Sequence, residues 1–321
     1  MSSKPKIKVD NLDEKILHLL IQDARTNLSE LASKCGLTSS AILRRITKME
    51  REGVIIGTEL YLRKGAMGYP YQATIGINAE TSSLDQIAEA IKVQPNVVVY
   101  CKAVGMYNMF CLPIARTTDE LDSVVQRIRN IDGVQGIAIN IWVEEPFVKG
   151  QCDQPKNNPD AQIDPTDLKI IEQLQNNVRT SFVEMGKTLQ ISHETVRKRF
   201  EAMRQNGIIR SCSITVDWSK LGYQGTLFIM VSLGHGSDKA HVCAQLARIP
   251  EISMVIKVMG AYDIQAHAKV HDLKEYAKLA DEVQRIPGIR RAVICFASFT
   301  YFYFAQKPRG PIKCDTLELS E

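Results

Sequence analysis

The feature that most constrains this chain is that it repeats itself. Adding 154 to a position in the first half recovers a similar residue in the second: Asp13 and Asp167, Ile16 and Ile170, Leu20 and Leu174, Arg25-Thr26 and Arg179-Thr180, Glu30 and Glu184, Arg45 and Arg199, Met49 and Met203, Gly53 and Gly207, Gly68-Tyr69 and Gly222-Tyr223. After a slip of one residue the match continues at 155: Pro95 and Pro250, Gly105 and Gly260, Tyr107 and Tyr262, Ile131-Asp132-Gly133 and Ile286-Pro287-Gly288. So long a period excludes a solenoid and means duplication of a whole unit, and one inserted residue is easily absorbed by a loop. Between the copies, Pro146 to Asp160 is rich in Pro, Asn, Asp and Gln, has neither helical nor strand period, and reads as a linker.

Each unit opens with three short helical patterns. Residues 11–22 place Leu12, Ile16, Leu19 and Leu20 on one face, with Asn11 as the expected N-cap; in the second copy Leu168, Ile171 and Leu174 repeat the theme after Asp164-Pro165. Second helices are expected over about 28–35 and 182–189. Gly36 supplies a left-handed helix end in the first copy, while the second has Gln190 there, a departure from the pattern. Third helices follow over about 39–52, capped by Thr38 or Ser39, and 193–206, capped by Ser192, with buried stripes Ile42, Ile46, Met49 and Val196, Phe200, Met203. Gly53 and Gly207 end them, and Val54-Ile55-Ile56 and Ile208-Ile209 read as short strands.

Two short helices joined by a tight turn, with a third for support, is the helix-turn-helix pattern. The expected DNA-reading side chains are Ser39, Ser40, Arg44, Thr47, Lys48 and Arg51 in the first copy, and His193, Arg197, Lys198 and Arg204 in the second. Such side chains suit base edges and flanking phosphates. Each third helix nets only about +2 and the whole chain +4, so affinity must come from local patches and from avidity between modules.

The second half of each unit alternates strand and helix signals: strands from Tyr71 to Ile77, Val97 to Val104, Met109 to Ala115 and Val134 to Val143, helices from Leu84 to Val93 and Asp119 to Arg129. The order βαββαβ is the ferredoxin-like pattern, repeated from about 224 to 304. Helices cover one sheet face only. The run Phe296 to Phe304, read as one strand with aromatics on both sides, implies a partner sheet from the sister domain, another chain, or both, unless the strand is ordinary core.

The fold class is therefore α+β, two copies of a winged helix-turn-helix followed by a ferredoxin-like domain. The expected boundaries are 1–65 and 66–147, a linker over 148–164, then 165–219 and 220–306, and a tail over 307–321. The eight cysteines show no C-x-x-C spacing and mostly sit in apolar runs, so buried free thiols are expected and a zinc site is not. No triad or phosphate-binding Gly loop stands out, no cofactor is expected, and of the six histidines only His193 falls where function is expected. The N-terminus lacks a signal-like apolar stretch and no apolar run approaches ~18 residues; a cytoplasmic location without a membrane partner is the expectation.

At this level of detail the chain resembles the leucine-responsive/asparagine-regulator (Lrp/AsnC) family of transcription factors. The resemblance rests on Asp13-x-x-Ile16-Leu17, Ala24-Arg25-Thr26, Leu43 to Ile46 with Glu52 to Ile55, Gly-Tyr before the first strand, and the turns Gly105-x-Tyr107-Asn108 and Gly260-x-Tyr262-Asp263. It covers about 90% of the chain, and the combination of motifs is specific although no one of them is. Typical members have one unit, so the tandem departs from the pattern. The resemblance implies binding of double-stranded DNA in the major groove, pairing of α+β domains through their sheets into homo-oligomers (here a dimer or tetramer of the tandem chain), and an effector, commonly an amino acid, bound near Gly105, Tyr107, Asn108, Gly260, Tyr262 and Asp263. Asp263 can pair an α-ammonium group and Asn108 cannot, so the second copy is the expected effector site, unless Asp263 only caps its turn. Two other readings compete. Sirohaem decarboxylases share the layout and resemble the chain around Tyr107 to Phe110, but use histidine in the preceding strand, where this chain has none in either copy. A ligand-sensing assembly protein that has lost DNA binding is the other.

Overall fold

The structure, a computed structural model, describes residues 9–144, 146–148, 158, 161–298 and 302–304. In chain order its elements are α1 (Asn11–Gln22), α2 (Leu28–Cys35), α3 (Ser39–Arg51), β1 (Ile55–Leu62), β2 (Tyr71–Ala79), α4 (Leu84–Lys92), β3 (Val97–Lys102), β4 (Met109–Ala115), α5 (Thr118–Arg129), β5 (Val134–Trp142), β6 (Phe147–Val148), α6 (Pro165–Asn176), α7 (Phe182–Leu189), α8 (His193–Gln205), β7 (Ile209–Val216), β8 (Gly225–Leu233), α9 (Lys239–Arg248), β9 (Ile252–Gly260), β10 (Ile264–Val270), α10 (Leu273–Gln284), β11 (Ile289–Ser298) and β12 (Phe302–Phe304). Through β2 and β8 the copies stay 154 residues apart, and from α4 and α9 they are 155 apart. The extra residue therefore lies in the loop between β8 and α9. Like groups with like: the two helix-turn-helix modules make one compact unit and the two α+β domains another.

In the first unit each module is a three-helix cluster with a strand, and one apolar core runs through both. The N-cap of α1 is Asp10, one residue before the Asn11 expected from sequence. Its carboxylate accepts from the N–H groups of Leu12 and Asp13, and Asp13 answers onto the Asp10 N–H, a reciprocal box that a carboxylate performs better than an amide beside positive helix dipole charge. Asp164 and Asp167 repeat the box on α6. Arg45 spans Asp10 and Asp13 at 2.8 and 2.7 Å, and Arg199 spans Asp164 and Asp167. The Arg45 guanidinium and backbone N–H groups hold the Asp10 carboxyl below its usual range. Gln190 takes the same left-handed conformation as Gly36, with φ 56° against 66°, so the second copy keeps the turn that its sequence leaves in doubt.

The strands after α3 and α8 are longer than the sequence suggests. β1 and β7 form an antiparallel pair with each other, from Ile55 opposite Val216 to Leu62 opposite Ile209. This ribbon joins the modules, and Ala24 donates to the Cys212 carbonyl while Val178 donates to the Thr58 hydroxyl. Arg25 adds a one-sided lock. Its guanidinium donates to the Thr180 carbonyl at 3.0 Å and to the Val178 carbonyl, and lies 4.4 Å from the Phe182 ring centre and 5.0 Å from that of Phe200. Its twin, Arg179, would face Leu28 and Ile46 in place of those rings.

In the second unit each domain is a four-stranded antiparallel sheet backed by two helices, and the sheets continue into one another in the order β11-β8-β10-β9-β5-β2-β4-β3-β12, with β6 on β9. Phe147 and Val148, assigned to the linker from sequence, pair with Val255 and Met254; two residues are too few to show an alternation. The aromatic run Phe296 to Phe304 is likewise shared between β11, which pairs with β8, and β12, which pairs with β3 of the sister domain. Residues 299–301 and the expected tail lie outside the described residues. The helix-free faces meet in a core of their own, in which Phe110 and Phe228 stack at 4.3 Å with planes 6° apart. The described cysteines are free, five of them buried; Cys152 and Cys314 are outside the described residues.

Arg25→Ala is expected to lower the unfolding free energy of the helix-turn-helix unit by about 1–3 kcal/mol, the range for a half-buried cation losing its hydrogen bonds and ring contacts. Arg179→Ala should stay within about 0.5 kcal/mol of wild type. Thermal melts of the two variants side by side test this, and equal losses would refute the one-sided lock.

Candidate DNA interface and effector turns

The first unit holds all the side chains expected to meet DNA. Thr38 caps α3 and Ser192 caps α8, each accepting from a backbone N–H of the first turn. The Ser40 hydroxyl lies 3.1 Å from that of Thr38. Along α3, Ser40, Arg44, Thr47, Lys48 and Arg51 recur at i, i+4, i+7, i+8 and i+11 and are all exposed. This single face carries three cations and no carboxylate. Leu43 beside it is also exposed, an apolar group of the kind that meets a thymine methyl. Ser39 sits at its edge, half-buried. Arg45 stands apart, committed to Asp10 and Asp13.

On α8 the matching face is Glu194, Lys198, Glu201, Ala202 and Gln205. It carries one cation and two carboxylates. Arg197 pairs with Glu194 at 2.5 Å, which draws the Glu194 carboxyl down in pKa. Arg204 pairs with Asp23 of the first module at 3.3 Å and lies over Phe200. His193 is exposed at the start of the helix. The structure thus presents the α3 residues together, whereas on α8 it turns Arg204 toward the sister module and balances Arg197.

In the second unit the two effector-type turns lie on the seam between the α+β domains. Tyr107 and Tyr262 are buried there and share a hydrogen bond of 2.9 Å between their hydroxyls. The pairing around them is two-fold in pattern: Ile141 opposite Met259 on one side, and Phe296 opposite Val104, its repeat equivalent, on the other. Gly105 and Gly260 take φ of 141° and 146°. A Cβ on Gly260 would stand 2.1 Å from the Ile139 carbonyl oxygen, and one on Gly105 3.0 Å from Cys295 Sγ. The close backbone approach that a turn glycine permits is here made by the sister domain's strand.

Asn108 and Asp263 do one job in the two copies. The Asn108 side-chain oxygen accepts from the Ala79 N–H at 2.9 Å, and an Asp263 carboxylate oxygen accepts from the Leu233 N–H at 2.8 Å, each at the end of the first strand of its domain. The other Asp263 oxygen is 3.7 Å from Lys239 Nζ, where the first copy has Leu84 in place of the lysine.

Sequence reasoning passes over three groups. Arg25 is visible as a motif, but its partners lie about 155 residues away. His267 and Lys269 stand on the inner face of β10, where the first copy has Leu112 and Ile114, and Gln265 beside them replaces Phe110. Burial and the Lys269 charge push the His267 imidazole down to about 3, and burial brings Lys269 to about 8. His267 lies 2.6 Å from Gln265 and against Phe228. The alternation of polar and apolar residues along β10 is the signal that could have found them.

Comparison with known proteins agrees with this geometry. The AsnC-type helix-turn-helix domain matches residues 9–50 and 163–204, and the Lrp/AsnC ligand binding domain matches 72–151 and 226–304. The chain belongs to the Lrp/AsnC family, with both of its domains present twice. It is similar to an HTH-type transcriptional regulator of Pyrococcus furiosus, 30% identical over 138 residues, which is 43% of this chain and 93% of the relative. It is equally similar to the regulatory protein AsnC of Haemophilus influenzae, 30% identical over 143 residues, which is 44% of this chain and 95% of that relative. Among solved structures the siroheme decarboxylase NirDL matches across both copies, covering 89% of this chain and 91% of its own, with a TM-score of 0.64 and 17% identity. At that identity the likeness is one of fold. Among the described residues no helix is long and apolar enough to cross a membrane, and no group of side chains could hold a metal ion.

Proposed function

We propose that the chain is a sequence-specific DNA-binding regulator that docks its helix-turn-helix unit on double-stranded DNA and takes a small effector, of the amino-acid class, at its α+β unit. The observation that carries the DNA reading is the α3 face, with Arg44, Lys48 and Arg51 exposed and, among the described residues, no carboxylate paired to them. An acid-free row of cations with Ser and Thr between them suits phosphates and base edges together. His193, Arg197 and Lys198 are the second module's contribution. Arg44→Ala with Lys198→Ala is expected to weaken binding in gel shifts on DNA upstream of the protein's own reading frame. It should also reduce the slope of log affinity against log salt by about 1 to 2, roughly one for each cation that meets a phosphate. An unchanged slope removes these positions from the interface.

The effector reading rests on the seam turns, where Met106 is exposed beside Tyr262 and Arg291. Asp263 is the ammonium partner this reading offers, in competition with Leu233 N–H and Lys239. Asp263→Asn should keep the fold, since Asn108 does the same work in the first copy, and should lose amino-acid binding in calorimetry with a panel of amino acids. Equal binding by both proteins excludes Asp263.

Exposed Val104, Val143, Phe147 and Met259 around the seam suit packing of one tandem chain on another. A dimer or tetramer of the chain is expected by light scattering, and a monomer at micromolar concentration would count against it. Decarboxylation of sirohaem, the activity for which the fold relative NirDL is named, finds less support. β3 and β9 carry no histidine, and His267 on β10 is held neutral between Gln265 and Phe228.

A further inference from the structure

The two heads of the DNA-binding unit are built on one scaffold and differ in the charge of one face. Position by position, Ser40, Arg44, Thr47, Lys48 and Arg51 of α3 correspond to Glu194, Lys198, Glu201, Ala202 and Gln205 of α8. Summed over these five, α3 carries +3 and α8 carries −1, or zero once Arg197, the ion-pair partner of Glu194, is counted with it. The cations on the flanks of α8 do not restore the balance. Arg197 is tied to Glu194, Arg204 to Asp23, and Arg199 to Asp164 and Asp167. On α3 the one corresponding commitment is Arg45, the twin of Arg199.

Whole-helix composition hides this difference, because each third helix holds four basic residues. Duplex DNA is a dense line of negative charge, and phosphate contacts supply most of the sequence-independent affinity. A face of net +3 is drawn to that line. A face that sets Glu194 and Glu201 against one lysine lacks that attraction unless those carboxylates accept from a base amino group, the one favourable contact a carboxylate makes with an unmodified base pair.

We infer that the chain binds DNA asymmetrically: α3 anchors it on the duplex, and α8 adds little affinity because Glu194 cancels Arg197 and Glu201 opposes the approach of phosphates. The inference rests on the DNA-binding reading above. It makes the preferred target a single α3 site with a weakly constrained flank, in place of two inverted copies of one half-site. It also makes Glu194 and Glu201 the residues that set the second head apart.

The test measures binding of the full chain by fluorescence anisotropy on a short mixed-sequence duplex and on DNA upstream of its own reading frame, across a salt series. Arg44→Ala/Lys48→Ala/Arg51→Ala should weaken binding by about tenfold or more and flatten the salt slope by about 3. Arg197→Ala/Lys198→Ala should change the slope by about 1 or less. Glu194→Gln/Glu201→Gln should tighten binding on both duplexes and steepen the slope. All of these side chains are on the surface, and circular dichroism melts matching wild type verify that each variant is folded. Equal losses from the α3 and α8 variants would overturn the inference while leaving DNA binding intact. Weaker binding by the glutamine variant on the upstream DNA alone would overturn it as well, and would make the carboxylates base readers. Absence of binding by wild type to either duplex would overturn the DNA-binding reading itself, and the asymmetry with it.

Discussion

The pairing of each domain with its own copy is the constraint on which both units depend. A four-stranded sheet with helices on one side leaves an apolar face and two edges open to water. Here the helix-free faces cover each other, with Phe110 and Phe228 stacked between them, and edges are continued by the sister's strands at β5–β9 and at Val104–Phe296. The heads do the same on a smaller scale, through the β1–β7 ribbon. Duplication within one chain removes the concentration dependence of such pairing, because the partner is always tethered.

Tethering also lets the two sides of each interface diverge. The Phe110 and Phe228 stack occurs once; at the equivalent positions of the other half stand Gln265 and Thr74, both buried. Pairing first with second domain therefore sets aromatic against aromatic and keeps polar residues on the other side. Two first domains would place Phe110 opposite Thr74, and two second domains would place Gln265 opposite Phe228. The Tyr107 ring lies over Gly76, at the position where the second copy has Met230. Arg25 finds Phe182 and Phe200, and Asp263 finds Lys239, while Leu28, Ile46 and Leu84 stand at the equivalent positions of the other copy. These substitutions favour one pairing over its alternatives, which a symmetric interface cannot do.

Most of the scaffold was legible in the sequence because its signals are local. Helix periods, the Asp164-Pro165 start, the turn glycines and the βαββαβ order each depend on a few neighbouring residues. What the sequence concealed is long-range. Nothing near Ile55 or Ile209 says that the two strands will meet, and Phe147-Val148 is too short to show a strand period. The effector-type turns show the same limit at the level of a site. Glycine at 105 and 260 signals a close approach, but the approaching group is the sister strand, and Asp263 proves to share with Asn108 the work of accepting from the end of the first strand. Gln190 shows the converse, where the local rule against a side chain at positive φ is outweighed by the turn geometry that both copies share.

The recognition helices separate what the fold needs from what DNA binding would use. The stripe Ile42, Ile46, Met49 is matched by Val196, Phe200, Met203, all buried. It gains a ring only at Phe200, where Arg25 of the other head lands. Arg45 and Arg199 are kept because each closes a capping box at the first helix of its module. None of these residues requires the outward face to stay basic, and on α8 it has not. A duplicated head held in place by β1–β7 keeps its fold whether or not it holds DNA. Its exposed face is therefore free to change charge without loss of the pairing that the other head relies on.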